Sequence, residues 1–184
     1  MSFEPNFIGN PLAAEYYQTL IDEVPWREDE IRMYGKWVAI PRLQQWYGDP
    51  GIDYTYSGLT LSAMPWHPVL ASIKHQIEQL TGWSLNACLV NCYRDGNDTV
   101  GWHSDDEPEL GEFPNIASVS LGDQRDFQMK HKATKQKLVV PLSHGSLLLM
   151  SGTTQRYWQH CVPRTKRVKS PRINLTFRKI FAPN

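Results

Sequence analysis

Beyond Gly82 the chain breaks into eight short β-prone runs, at about 87–94, 99–103, 116–121, 125–131, 137–142, 145–150, 156–162 and 172–179, separated by Gly, Pro, Asn and Asp. Runs of this length and spacing argue for a sandwich or jelly roll. Two helices precede them. Asn10 is placed to cap, and Pro11 to begin, a helix carrying Leu12, Tyr16 and Leu20; Pro68 opens a second, with Val69, Ile73, Ile77 and Leu80 on one face, stopping near Gly82. Both are expected on the outside of one sheet. The stretch between them, residues 30–62, is β-rich again ("IRMYGKWVAIPR", "DYTYSGLTLS") and reads as a lid over the barrel mouth.

At 184 residues, with no repeat, linker or low-complexity segment, one domain with a buried core is expected. The longest apolar run, Leu147 to Met150, is far short of a membrane span, and the start "MSFEPNFIGN" lacks a basic, apolar leader pattern. Cys88, Cys92 and Cys161 are an odd, sparse set, better read as buried thiols in a reducing compartment than as a disulfide framework. A cytoplasmic address follows, or the nucleus in a eukaryotic source.

The chain has no net charge, yet its signs are segregated. Asp105 to Glu112 holds five acids and no base; Arg164 to Lys179 holds seven bases and no acid. Acids crowded beside an imidazole in "GWHSDDEPEL" repel one another unless a cation sits among them. A metal ion meets that need. His103 and Asp105 lie two apart on one strand face, and His160, on another β-prone run among aromatics, is the leading third ligand. Two histidines and a carboxylate leave open positions on a metal, the arrangement of non-haem Fe(II) oxygenases. Zinc accepts the same ligands, so a zinc hydrolase stays open at this point. The remaining histidines, His67, His75, His131 and His144, read as surface or core residues. The last run, "PRINLTFRK", alternates strictly: Ile173, Leu175 and Phe177 point one way, and Arg172, Asn174, Thr176 and Arg178 the other. Asn91 and Tyr93 likewise share a face in "LVNCYRDG".

Taken in order, Asn-x-Tyr-x-Asp-Gly (91–96), His-x-Asp-Asp-Glu (103–107), His160 and Arg-x-Asn-x-Thr-x-Arg (172–178) resemble the AlkB family of Fe(II)- and 2-oxoglutarate-dependent dioxygenases. The likeness is greatest to the branch that repairs alkylated bases in duplex DNA. "YGDPGIDYTYSGLTLS", "ASVSLGDQRDF" and "LSHGSLLLM" extend it over roughly residues 30–180. It implies a mainly β fold with flanking helices: a jelly-roll core near 82–181, a nucleotide-recognition lid near 31–66 and a helical extension near 1–30, all in one domain, 1–184.

It also implies roles. His103, Asp105 and His160 hold Fe(II). Arg172 and Arg178 meet the carboxylates of 2-oxoglutarate, helped by Asn91, Tyr93, Asn174 and Thr176. With dioxygen, the family's reaction removes an N-methyl group from bases such as N1-methyladenine or N3-methylcytosine, releasing formaldehyde, succinate and CO2. Asp106 and Glu107 meet the damaged base. Tyr34, ahead of a Gly35-Lys36 turn, stands where the branch usually has a phenylalanine wedge that fills the gap left by a flipped base. Tyr54, Thr55 and Tyr56 flank the flipped base, where stacking contributes about 1–3 kcal/mol per base. Arg42, Arg164, Lys166, Arg167 and Lys169 meet phosphates; DNA is the expected partner, RNA is open, no membrane is involved and the chain acts as a monomer. "KHKATKQKL" is shorter than its counterpart in that branch. The same chemistry on RNA or another substrate, and a non-catalytic module that binds damaged nucleic acid, are the competing readings.

Overall fold

The computed structural model describes residues 1–33, 35–56, 59–167 and 169–181, with side chains left out of account at 33, 54–56 and 59. Two antiparallel sheets face each other. In chain order the elements are β1 (Ser2–Glu4), α1 (Asn10–Glu23), β2 (Glu30–Met33), β3 (Lys36–Ala39), β4 (Leu43–Gly48), β5 (Tyr54–Tyr56), β6 (Leu59–Leu61) and α2 (Pro68–Thr81). Then follow β7 (Ala87–Tyr93), β8 (Val100–His103), β9 (Ile116–Gly122), β10 (Arg125–His131), β11 (Lys137–Leu142), β12 (Ser146–Met150), the single turn α3 (Thr154–Tyr157), β13 (Trp158–Val162) and β14 (Arg172–Arg178). The larger sheet runs β1-β12-β9-β14-β7-β4 and the smaller β11-β10-β13-β8. This is the expected jelly roll.

The alternation in β14 decides which way the larger sheet faces. Ile173, Leu175 and Phe177 pack outward with Cys88, Val90, Ala117, Val119 and Leu121 against Ala13 and Leu20 of α1 and Leu70, Ile73 and Ile77 of α2. Their polar neighbours turn inward, between the sheets. An ordinary surface strand would leave that second face in water; here every residue of β14 is buried. A second apolar cluster, Tyr93, Ile116, Phe127, Met129, Leu142, Leu148, Met150 and Val162, fills the closed part between the sheets.

Both long helices begin and end close to expectation. Gly9, not Asn10, is the N-cap of α1, and Asn10 is the first helical residue. At α2 the His67 ring accepts from Val69 N, and Gly82 closes the helix at φ 71°, a left-handed backbone that favours glycine. His67 is therefore a cap. Three further differences follow from contacts the sequence does not display. Ser2–Glu4, read as part of a helical extension, is an edge strand on β12. The run at 156–162 starts as α3, because Thr154 Oγ1 and N both turn back to Ser151 O.

The stretch read as one lid, 31–66, is divided. Its middle, β4, pairs with β7 as the other edge of the larger sheet, and Trp46 there is fully buried, donating from Nε1 to Ile52 O. Among the described residues, the hairpins β2–β3 and β5–β6 form separate two-stranded sheets. No helix among the described residues is long and apolar enough to cross a membrane.

The three cysteines are free and buried. Burial pushes the Cys88 thiol far up and Cys92 up to about 11. None of the three is expected to react with a disulfide reagent at pH 8 until denaturant is added, when three thiol equivalents should appear. Rapid labelling of the native chain would contradict the packing of β7 or β13.

Candidate active site

The cross-strand register puts the two histidines together. β13 lies between β10 and β8, and His160 pairs with His103 across the β13–β8 ladder, their ring centroids 4.2 Å apart. Asp105 follows the end of β8 and turns its carboxylate between them: Oδ1 is 3.6 Å from His103 Nε2 and Oδ2 is 3.8 Å from His160 Nε2. One ligand atom from each residue lies within 4.8 Å of the others. His103 Nδ1 is 2.8 Å from Gly101 O. A carbonyl accepts only, so the proton sits on Nδ1 and the Nε2 lone pair is presented to the site.

The electrostatics agree with this. Burial pushes His160 down to about 4, reinforced by His103 and Arg178 and opposed by Asp105, so its imidazole is neutral at pH 7. Burial would raise the Asp105 carboxyl, but the opposing charges, Arg178 foremost, outweigh it and hold the group below its ordinary value. Two imidazoles and an anionic carboxylate, convergent and short of a closed tetrahedral set, fit a divalent ion with open positions. Arg178 reaches the same spot, its Nη2 4.0 Å from Asp105 Oδ1.

Arg172 is at the other end of the inward face of β14. It is 1% exposed. Its Nη2 donates to Ser120 Oγ at 2.8 Å, while Nε and Nη1 meet no hydrogen-bond partner in good geometry among the described residues. Tyr93 lies under it, with the guanidinium carbon 5.1 Å from the ring centroid. A buried guanidinium with two unused donors fits the carboxylate of an anionic ligand, bound bidentately. The residues on this face therefore fit 2-oxoglutarate: a carboxylate at Arg172, and the keto acid near the ion and Arg178.

The helper residues divide in role. Asn174 uses Nδ2 on Ser118 Oγ and Val119 O, and its Oδ1 accepts from Thr176, so this pair mainly clamps β14 to β9. Asn91 Oδ1 accepts from Arg42 Nε at 2.8 Å. Because Arg42 can only donate, the Asn91 amide is turned so that Nδ2 remains as the donor. Arg42, expected on phosphate, is instead buried and braced between Asn91 and Thr99 O, as part of the wall of the cavity.

One cavity of about 920 Å³ connects all of this, lined by Asn91, Tyr93, Arg172 and Arg178 at depth, by the three candidate ligands, and by Ile31 and Val38 of the β2–β3 hairpin at its mouth. Glu107 lines it; Asp106 is exposed beside it, 3.5 Å from Lys132 Nζ. Met33 pairs with Lys36, leaving a two-residue connection with Gly35 at φ 80°. Gly35 and Lys36 are exposed. Tyr34 lies outside the described residues, as do the side chains of Tyr54, Thr55 and Tyr56, whose backbones form β5.

In the basic tract, Lys166 and Arg167 are exposed, Arg164 is held by Asn97 Oδ1, and Lys169 pairs with Asp123 Oδ1 at 3.1 Å. Gly96 lets this loop sit close: a Cβ there would meet Thr165 O at 2.5 Å. Gln155 escaped notice in the sequence. It is 1% exposed, and its Oε1 accepts from Asp105 N at 3.0 Å. A lone glutamine in "GTTQRYWQH" carries no periodic or motif signal.

Residues 1–178 match the 2OG-Fe(II) oxygenase superfamily, and the chain is 45% identical over 184 residues to the human (Homo sapiens) DNA oxidative demethylase ALKBH2, covering 94% of this chain and 70% of that protein. The chain belongs to the AlkB family. It is also 43% identical to the alpha-ketoglutarate-dependent dioxygenase alkB homolog 3 of Bos taurus, over 96% of this chain and 65% of that one. It thus spans about two thirds of the length of these AlkB relatives. A Pseudomonas putida prolyl-4-hydroxylase shares the fold, with a TM-score of 0.65, 16% identity and coverage of 99% of this chain and 92% of its own. AlkB membership brings Fe(II), 2-oxoglutarate and dioxygen as the cofactor set. A zinc hydrolase would leave Arg172 without a ligand, and that reading is set aside.

Proposed function

We propose that this chain is an Fe(II)- and 2-oxoglutarate-dependent demethylase of N-alkylated bases in DNA, acting as a monomer. One observation carries the reading: a single cavity holds three convergent metal-ligand atoms at one end and, at the other, the Arg172 guanidinium with two unused donors. The relatives named as DNA demethylases supply the substrate class.

When bound, Fe(II) and 2-oxoglutarate supply the oxidation, in which dioxygen is consumed, succinate and CO2 are formed, and an N-methyl carbon is hydroxylated and lost as formaldehyde. The chain's own residues hold and orient. His103, Asp105 and His160 grip the ion, and Asp105 offsets its charge. Arg172 anchors one carboxylate and Arg178 the other. Tyr93 walls the Arg172 end, and Asn91, its amide set by Arg42, presents a donor to the co-substrate. Glu107 at the mouth, with Asp106 beside it, accepts from the exocyclic amino group of the base, which selects bases that carry one. A base methylated on its pairing edge reaches this cavity only after leaving the stack. The β2–β3 hairpin at the mouth is the element to probe the duplex, and Lys166 and Arg167 the groups to meet its backbone.

The test is incubation with methylated single-stranded, duplex and RNA oligonucleotides, with mass spectrometry of the product and succinate measured in parallel. Demethylation of duplex DNA is expected, with binding that weakens steeply as salt rises. Tyr34→Ala is expected to lower turnover on duplex at least about tenfold more than on single strands, the worth of one stacking contact. Equal losses would remove the wedge; demethylation of RNA alone would move the substrate class. Succinate production absent with every oligonucleotide would leave only a binding module.

A further inference from the structure

Asp105 stands one residue past Ser104 and two past the end of β8, where the sheet no longer holds the backbone. Its carboxylate must point at the ion from a segment with no ladder hydrogen bonds of its own. Two side-chain bonds replace them. Ser104 Oγ donates to Trp158 O at 2.9 Å, and Asp105 N donates to Gln155 Oε1 at 3.0 Å. The second bond is almost wholly shielded, since Gln155 is 1% and Asp105 6% exposed. The orientation of the Gln155 amide is chemically determined. A backbone N–H needs an oxygen, so Oε1 faces Asp105 and Nε2 is left to the weak acceptor Met150 Sδ at 3.6 Å. Lys132 adds a cross-brace: its Nζ donates to Gln155 O at 3.0 Å and reaches Asp106 Oδ2 at 3.5 Å.

We propose that Gln155 is a positioning residue for the metal site, fixing the backbone of Asp105 through this bond so that its carboxylate is held between His103 and His160. The proposal rests on the reading of His103, Asp105 and His160 as the ion's ligands. Groups that orient a ligand without touching the metal typically change affinity about tenfold to hundredfold when removed. Gln155 differs from the usual case in acting on the ligand's main chain rather than on its carboxylate. The turn α3 presents it from just ahead of β13, so the segment that delivers His160 also delivers the brace for Asp105.

The experiment uses the full chain without 2-oxoglutarate, reading Mn(II) binding by the loss of free-ion paramagnetic resonance and amide exchange at Asp105 by NMR. Gln155→Met keeps the volume and removes the acceptor. It is expected to speed exchange of the Asp105 amide and to weaken Mn(II) at least about tenfold, with the melting temperature of the metal-free chain recorded alongside. Unchanged exchange, or faster exchange with unchanged Mn(II) affinity, overturns the proposal. Asp105→Ala is the control for the underlying reading: if it leaves Mn(II) affinity intact, the metal-site assignment fails, whereas a loss there with none in Gln155→Met fails Gln155 alone. Should Gln155→Met not fold, Gln155→Asn, one methylene too short to reach Asp105 N, is read by the same two measurements and the same outcomes.

Discussion

Asp105→Ala is expected to eliminate measurable succinate formation and to weaken Mn(II) more than about a hundredfold, beyond the range seen when a merely supporting residue is lost. Two imidazoles remain, and neither brings a negative charge to compensate a divalent ion in a buried site. Stability should change as well. Arg178 is 2% exposed and faces the Asp105 carboxylate at 4.0 Å, so removing the anion takes away charge compensation where water cannot replace it. Breaking a buried pair from one side costs about 3–5 kcal/mol in the strongest cases, and a longer contact such as this one gives a smaller share. Thermal unfolding in EDTA is therefore expected at a lower temperature than for the wild type. Mn(II) should raise the wild-type midpoint and leave that of the variant unchanged. A variant that still gained stability from Mn(II) would place the ion elsewhere.

The second large effect has two signs. Arg172 is a buried guanidinium, pushed down to about 10 by burial and, more weakly, by Arg125, with Tyr93 opposing. Its charge is only partly compensated inside the chain: one bond to Ser120 and the face of Tyr93. Arg172→Met removes that charge and keeps much of the volume. Truncating one partner of a buried charged hydrogen bond costs about 2–5 kcal/mol of binding, so 2-oxoglutarate affinity should fall at least about thirtyfold. The metal-free, ligand-free variant should meanwhile melt higher than the wild type, because a poorly compensated buried charge has gone. Calorimetric titration of 2-oxoglutarate and paired melts with and without it read both signs. A purely structural arginine would lower the melting temperature in both conditions and leave the ligand-induced increment unchanged, which would dismiss the anchor.

How much of this was legible beforehand varies with the kind of signal. A strand's faces follow from a period of two, so β14 could be divided into an outward apolar row and an inward polar row from "RINLTFR" alone. His103 and Asp105 are near in sequence, so the pairing of an imidazole with a carboxylate was visible, but β8 ends at His103 and Asp105 reaches the site from beyond the strand, not by the period of two. Helix bounds followed from Pro11, Pro68 and Gly82, whose backbone constraints are local. Misreadings fall where partners are remote. Ser2–Glu4 has too few residues to show any period and becomes a strand only because β12 offers an open edge. β4, "LQQWYG", carries paired amides and paired aromatics that show no alternation and suit a lid hairpin as much as a sheet edge; its pairing with β7 chose between them. Arg42 reads as a surface cation until Asn91 is found beside it.

By itself, then, the order of residues determined what each short segment presents: two helices with apolar faces, a ladder of short strands, an imidazole two positions from a carboxylate, a row of guanidinium and amide groups on one side of the final strand. Those properties depend on the chain's local geometry, which any sequence carries with it. Only the tertiary structure decided that His160 stands opposite His103, that Arg178 meets Asp105 while Arg172 is left with unused donors, and that Gln155 holds the backbone between the two histidines. Sheet register and burial set those contacts. Each is a competition among many possible pairings that is won by whichever leaves the fewest polar groups without partners and the most apolar surface out of water.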